Sequence, residues 1–256
     1  MMVPMFGVAL AVGLVGALAL SLKAAKRVGV SGDALWNVIS IAMVAVILIS
    51  RLLLVAGNWT AFKEYPVLVV TTPAASPLSV VLAVVIAAVY WRRVGLEMWR
   101  GLDALAPCAA LAIAFVWLGD FFAGSSWGWP SVLPWSVTYK SAWAARFYGT
   151  PLGVAVHPVQ VYGFVAWLAL CAGLMWMLGR RGREGDAFVA LLLVGSAVTF
   201  VLQMFVAHPM DTLMLSGLDA MQWAALMVMA VGTALIWRNA ETIVRVEKES
   251  VVSDAV

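Results

Sequence analysis

Residues 157–183 read HPVQVYGFVAWLALCAGLMWMLGRRGR, and this stretch decides the fold. From Val159 to Leu178 no charged side chain occurs, and Arg180, Arg181 and Arg183 follow at once. A run of ~20 apolar residues is long enough, as a helix, to cross a hydrocarbon core of ~30 Å. The arginine cluster that closes it marks a cytoplasmic end. At the opening end, His157, Gln160 and Tyr162 place an imidazole, an amide and a phenol within about one helical turn. An unpaired polar group driven toward a bilayer costs several kcal/mol, so this trio calls for a function.

The rest of the chain has the same character. It is 64% hydrophobic and 11% charged, with a mean hydropathy of +0.99, against roughly 45–50% and about 25% in soluble domains. The expected fold class is all-α, a polytopic integral membrane protein. Seven apolar runs qualify as spans: Met5 to Leu22, Ala34 to Val55, Val67 to Tyr90, Leu102 to Phe121, Val159 to Leu178, Ala187 to Val206 and Leu218 to Trp237. Lys23, Lys26, Arg27, Arg92, Arg93, Arg100, Arg180, Arg181, Arg183, Arg238, Arg245 and Lys248 all fall on one side of these spans. The opposite loops hold Lys63, Lys140 and Arg146. The positive-inside rule therefore puts the N-terminus outside and the C-terminus in the cytoplasm, in agreement with an odd number of spans. Residues 1–240 are expected to form one seven-helix transmembrane domain, with 241–256 as a cytoplasmic tail. The net charge of +3 marks topology and not a nucleic-acid surface.

The start, Met1-Met2-Val3-Pro4-Met5, has no basic n-region, and no small-residue cleavage site follows, so the first segment is expected to be a retained span. No cysteine precedes Cys108, so lipidation near the start is not expected. Cys108 and Cys171 lie in apolar runs, where free cysteine behaves as a small hydrophobe. With two histidines in all, no metal site, disulfide or cofactor is expected.

The longest segment outside the spans, residues 122–156, contains Trp127, Trp129, Trp135, Tyr139, Trp143, Phe147 and Tyr148. Rings with one polar edge favour the headgroup level, so an outer aromatic arm along the membrane surface is expected, either as a belt or as a grip on lipid or a partner. Pro73 and Pro77 interrupt the third span, but no second half repeats the break, which argues against a transporter.

Three ionisable residues within or at the ends of spans need an explanation: Arg51, Asp120 and His157. Arg51 has two readings, an ion pair with Asp120 or an anion site whose planar guanidinium holds a phospholipid phosphate. His157 has two as well, an imidazole bonded to backbone at a helix start or a reactive group in the company of Gln160 and Tyr162. Thr199, Gln203 and Gln222 are expected to form interhelical hydrogen bonds. His208-Pro209 is expected to open a simple loop.

The run His157-Pro158-Val159-Gln160-Val161-Tyr162 resembles the His-Pro-Ser-Gln-Leu-Tyr signature of the bacterial prolipoprotein diacylglyceryl transferases. Leu118-Gly119-Asp120-Phe121-Phe122-Ala123-Gly124-Ser125-Ser126-Trp127-Gly128 resembles their Gly-Arg-Ile-Gly-Asn-Phe-Ile-Asn-Gly motif and the glycine that follows it. Pro4 to Gly7, Ser50-Arg51-Leu52 with Asn58, Asp103 to Pro107 and Gln222-Trp223 are similar to further family motifs, in the same order along the chain.

The resemblance implies transfer of diacylglycerol from phosphatidylglycerol to the lipobox cysteine of a prolipoprotein signal segment, at the outer face of the bacterial inner membrane. His157 and Tyr162 are then the candidate catalytic residues, as base or proton relay. Arg51, Asp120, Gln160, Gly119 and Gly124 are the candidate substrate-binding residues, with Arg51 as phosphate clamp. Several charges of the family pattern are replaced: Trp117 stands for an arginine, Asp120 for an asparagine and Gly163 for a glutamate. Thr199, Gln203 and Val206 stand at charged positions, and Ser76-Pro77-Leu78-Ser79 replaces a His-Gly-Gly. The alternative is therefore an inactive, lipid-binding relative that serves as a subunit of a membrane complex.

Overall fold

The computed structural model describes residues 5–64, 77–180, 182–207 and 215–253. Its helices are α1 (Met5–Val28), α2 (Gly32–Gly57), α3 (Trp59–Glu64), α4 (Pro77–Val94), α5 (Met98–Ala123), α6 (Ala142–Tyr148), α7 (Val159–Leu178), α8 (Asp186–Gln203) and α9 (Ala220–Ser253). Two short strands, β1 (Val137–Thr138) and β2 (Ala155–Val156), pair antiparallel with Val137 opposite Val156. Among the described residues, six helices are long and apolar enough to cross a membrane: α1, α2, α5, α7, α8 and the Ala220–Trp237 part of α9. The chain is thus a multi-pass membrane protein, as expected for a backbone that must satisfy its own polar groups in lipid.

The expected third span begins in residues 67–76, which lie outside the described residues; the part that is described is α4. The last expected span, Leu218 to Trp237, corresponds to the apolar Ala220–Trp237 part of α9, and the helix itself continues to Ser253.

Helix α5 is the centre of the bundle. Half of its most apolar window is buried, against 17–28% in the other five spans. It packs on α1, α7 and α8, while α2 packs on α1 and α4, and α9 on α8. Small residues make this possible. Ala9, Gly13, Ala17, Ser21 and Ala24 form a buried stripe on α1, and Ala104, Ala106, Ala110 and Ala114 lie buried on α5. A Cβ on Gly13 would lie 2.3 Å from Phe115 Cβ, so only glycine permits the crossing. In membranes, where lipid is as apolar as leucine, such close backbone approach and van der Waals packing drive helix association.

The basic ends of the helices converge at one end of the bundle. The Arg27 guanidinium donates to the Met175 carbonyl near the end of α7. Arg100 at the start of α5 pairs with Glu97 at 2.9 Å and with Glu184, before α8, at 2.8 Å. Asp103, buried in α5, accepts from Gly185 N at 2.6 Å and Phe188 N at 2.9 Å, and so caps the start of α8. Those N–H groups have no partner within α8, and a carboxylate there also complements the helix dipole.

Candidate functional site

At the opposite end, the segment after α5 is a folded cap and not an extended arm. Gly124 closes α5 at φ 77°, in the left-handed region that glycine enters without strain. A Cβ on it would meet Ala144 at 2.8 Å, so the turn and the packing both require glycine. Thr150 Oγ1 donates to the Gly124 carbonyl at 2.7 Å, tying α6 to this turn. The cap is also stitched to the end of α8, through Trp129 N to Phe205 O at 3.1 Å and Ala207 N to Trp127 O at 2.9 Å. Trp129, Trp135, Trp143, Phe147 and Tyr148 remain exposed on it.

The cap places His157. Its N–H donates to the Trp129 carbonyl at 3.0 Å, and Gly128 lies so close that an added Cβ would be 2.6 Å from the His157 carbonyl oxygen. The half-buried imidazole lies between Tyr162 and Phe205, with ring centroids at 6.4 and 6.1 Å. His157 Nδ1 is 3.5 Å from the Tyr162 hydroxyl, and the Trp135 indole N–H donates to that hydroxyl at 2.7 Å. Gln160, on the first turn of α7, is fully buried and donates from Nε2 to the Ser125 carbonyl at 2.6 Å. Its Oε1 has no partner among the described residues, and neither has the buried Tyr139 hydroxyl. Burial pushes the Tyr139 phenol up to about 12, with the nearby Gln160 amide opposing the rise and the Asp120 charge adding to it.

Asp120 lies one turn before Gly124 and accepts from Ser125 Oγ at 2.6 Å and Ser126 Oγ at 3.4 Å. These hydroxyls, and not the Arg51 guanidinium, are its partners. Ser126 pays for the position with φ 52°, rare for a residue with a Cβ. Arg51 is on α2, which packs on α1 and α4. The structure thus gathers Asp120, Gln160, His157 and Tyr162 at the junction of α5, the cap and α7, and places Arg51 on a different helix pair.

The two glycines of the candidate set have packing roles. Gly119 lets Phe6 of α1 approach, as its Cβ would lie 2.8 Å from Phe6 Cδ2, and Gly124 makes the turn described above. Trp117 and Gly163, two of the departures from the family pattern, touch each other: a Cβ on Gly163 would be 2.4 Å from the Trp117 indole. A large ring on α5 fills the space left by the missing side chain on α7.

Two expected interhelical bonds are local instead. Thr199 Oγ1 donates to the Gly195 carbonyl of its own helix at 2.9 Å, the back-bond typical of threonine in a helix. Gln222 forms a capping box with Asp219: Asp219 N donates to Gln222 Oε1 at 3.1 Å, and Gln222 N to Asp219 Oδ1 at 2.6 Å. Gln203 Oε1 is buried without a partner among the described residues. His208 and Pro209 lie outside the described residues.

Residues that the sequence reading does not propose for the site complete it: Ser125, Ser126, Tyr139, Trp135 and Phe205. The serines were open to inference, because a left-handed glycine turn folds the next residues back over the last turn of the helix. Trp135 carries no such signal among its aromatic neighbours.

The family profile described as "prolipoprotein diacylglyceryl transferase" matches residues 1–238. A phosphatidylglycerol–prolipoprotein diacylglyceryl transferase of Aromatoleum aromaticum is 30% identical over 57% of this chain and 54% of its own. The enzyme of that name from Chromobacterium violaceum is 27% identical over 62% of this chain and 61% of its own. The one from Clostridium tetani is 21% identical over 89% of both chains. Two of these alignments thus span between half and two thirds of the relative's length.

Proposed function

We propose, because the chain belongs to the prolipoprotein diacylglyceryl transferase family over residues 1–238, that it transfers diacylglycerol from phosphatidylglycerol to the lipobox cysteine of a prolipoprotein. The reaction takes place at the outer face of the bacterial inner membrane, and the cap is on that face. In this reading α4, with the residues before it, is a seventh span, the N-terminus is outside and the C-terminus is cytoplasmic. Support comes from the charge pattern, with Lys26 and Arg27 ending α1 and Arg92 and Arg93 ending α4, on the side where Arg100 and Arg180 also lie.

A cysteine thiol with an ordinary pKa of about 8.5 must lose its proton to become the nucleophile. Its sulfur then forms a bond to the glyceryl carbon of the lipid, the bond from that carbon to phosphate oxygen breaks, and glycerol phosphate departs. His157 takes the thiol proton, directly or through Tyr162. Asp120 and Gln160 line the neighbouring polar pocket, and Arg51 attends the phosphate from α2. The observation that carries this reading is the hydrogen-bonded array of His157, Tyr162 and Trp135, beside a buried amide oxygen that no described residue satisfies.

A second reading has its own observation. Trp117 packs on Gly163 where the family pattern carries opposite charges, and a filled, uncharged contact suits a lipid-binding relative that works as a subunit of a membrane complex. The test is transfer of labelled diacylglycerol from phosphatidylglycerol to a lipobox peptide by the purified protein. Transfer that is lost in His157→Ala and Arg51→Ala supports the transferase. A folded protein that binds phosphatidylglycerol and transfers nothing supports the subunit.

A further inference from the structure

The Tyr162 hydroxyl has two partners among the described residues, and their chemistry fixes the direction of both bonds. An indole N–H only donates, so Trp135, at 2.7 Å, occupies a lone pair of the Tyr162 oxygen. The phenol proton is left to be given away, and the acceptor within reach is His157 Nδ1 at 3.5 Å. The reverse order, with Nδ1–H donating to a phenol oxygen that already accepts from Trp135, would leave the phenol proton without a described acceptor.

The backbone supports this arrangement. Trp135 lies in a turn closed by Ser136 N to Leu133 O at 3.0 Å, two residues before β1 begins. Strand β1 pairs with β2, and β2 ends at Val156, next to His157. Ser131 N to Ala155 O at 2.9 Å and His157 N to Trp129 O at 3.0 Å lock the two segments together. Trp135 is therefore held by the same small sheet that holds the imidazole, and reaches across to the first turn of α7. A distance of 3.5 Å is long for a working hydrogen bond, but such bonds commonly tighten when substrate binds.

We infer that Trp135 is a positioning residue for the His157–Tyr162 pair: its indole N–H commits the Tyr162 proton to His157 Nδ1 and so fixes His157 as the Nε2–H tautomer. As a claim about transfer this rests on the transferase reading; as a claim about the tautomer it does not. In the reaction, the thiol proton passes to the Tyr162 oxygen while the Tyr162 proton passes to His157 Nδ1, giving thiolate and imidazolium. After the carbon–oxygen bond breaks, the proton returns by the same hydroxyl to an oxygen of the departing phosphate. Trp135 steadies the phenol oxygen at the moment it carries extra negative charge.

The chain has two histidines, so His208→Asn leaves one imidazole to observe by ¹⁵N resonance in detergent or nanodiscs. In that protein, His157 is expected to show an unprotonated Nδ1 and a protonated Nε2. Trp135→Phe, which keeps the ring and removes the N–H, should return His157 to a mixture of tautomers. It should also lower kcat for transfer about five-fold, the worth of one ordinary hydrogen bond, with KM for lipid unchanged. Trp143→Phe, which removes an exposed indole stacked on Phe147 at 3.9 Å, should change neither. A dominant Nδ1–H tautomer in the parent protein, or an unchanged spectrum in Trp135→Phe, overturns the inference. The expected spectra from a protein that transfers nothing would uphold the hydrogen-bond order and overturn the transferase reading alone.

Discussion

Helix α5 carries a carboxylate near each end, buried Asp103 and half-buried Asp120, about 25 Å apart along the helix axis. Asp103 is bonded to two backbone N–H groups at the start of α8, donors that cannot turn away. Asp120 is bonded to two serine hydroxyls, which rotate freely, and beside it the Tyr139 hydroxyl and Gln160 Oε1 have no described partner. A carboxylate tied to backbone fastens the fold. A carboxylate held by rotors, among unsatisfied polar atoms, is free to exchange partners with a ligand. The same residue type thus fastens structure at one end and, in the proposed reading, serves the site at the other.

Substitutions that affect activity and stability separately would break or sharpen this contrast. The largest effect is expected from His157→Ala: a ~10²–10⁴-fold loss of transfer rate, with a thermal midpoint in detergent like that of the parent. A midpoint that falls with the rate would place His157 with the fold and erase the contrast. Asp103→Ala should do the opposite, lowering stability by about 3 kcal/mol through the loss of two charge-assisted bonds, while each folded molecule transfers at the parent rate. Gly163→Ala should cost about 1–3 kcal/mol, because the new methyl group meets the Trp117 ring. Combining it with Trp117→Phe should cost less than the sum of the two changes, and simple additivity in thermal unfolding would show that they do not touch.

The smallest effect is expected from Tyr139→Phe. In the folded protein the phenol titrates near 12 instead of at its ordinary 10, so ionisation is disfavoured by folding. Its penalty is absent below pH 10 and grows as pH rises beyond that, so stability near neutral pH should hardly change. Of the five tyrosines, one should lag in an alkaline absorbance titration, and that lagging step should vanish in Tyr139→Phe. A titration identical to the parent's would mean that the phenol is open to water.

The fold was legible wherever polarity changes abruptly. Helix α7 has the bounds expected of it, Val159 and Leu178, because His157-Pro158 and Gly179-Arg180 bracket an uncharged run. Helix α9 continues past the expected end of its span at Trp237 because a helix leaving the bilayer needs no apolar side chains to go on, and residues beyond Trp237 include good helix formers. Local signals were readable: Asp-x-x-Gln at Asp219 and Gln222, at the start of α9, has the spacing of a capping box, and Gly124 marks the turn at the site. What was not readable came from distant pairing. Asp103 meets a backbone 82 residues away, and Trp135 meets Tyr162 only because β1 and β2 align.

The strap between the cap and the end of α8 has a consequence in time. Trp127 bonds to Ala207 and Trp129 to Phe205, so the cap over His157, tied to its own neighbours through Thr150 and Gln160, is fastened to α8 only once the chain has been made as far as Ala207. About 50 residues separate His157 from that strap, so at ~5–20 residues per second its bonds become available ~2.5–10 seconds after the histidine is made. Fastening of the cap thus waits for two further helices, α7 and α8, to be made.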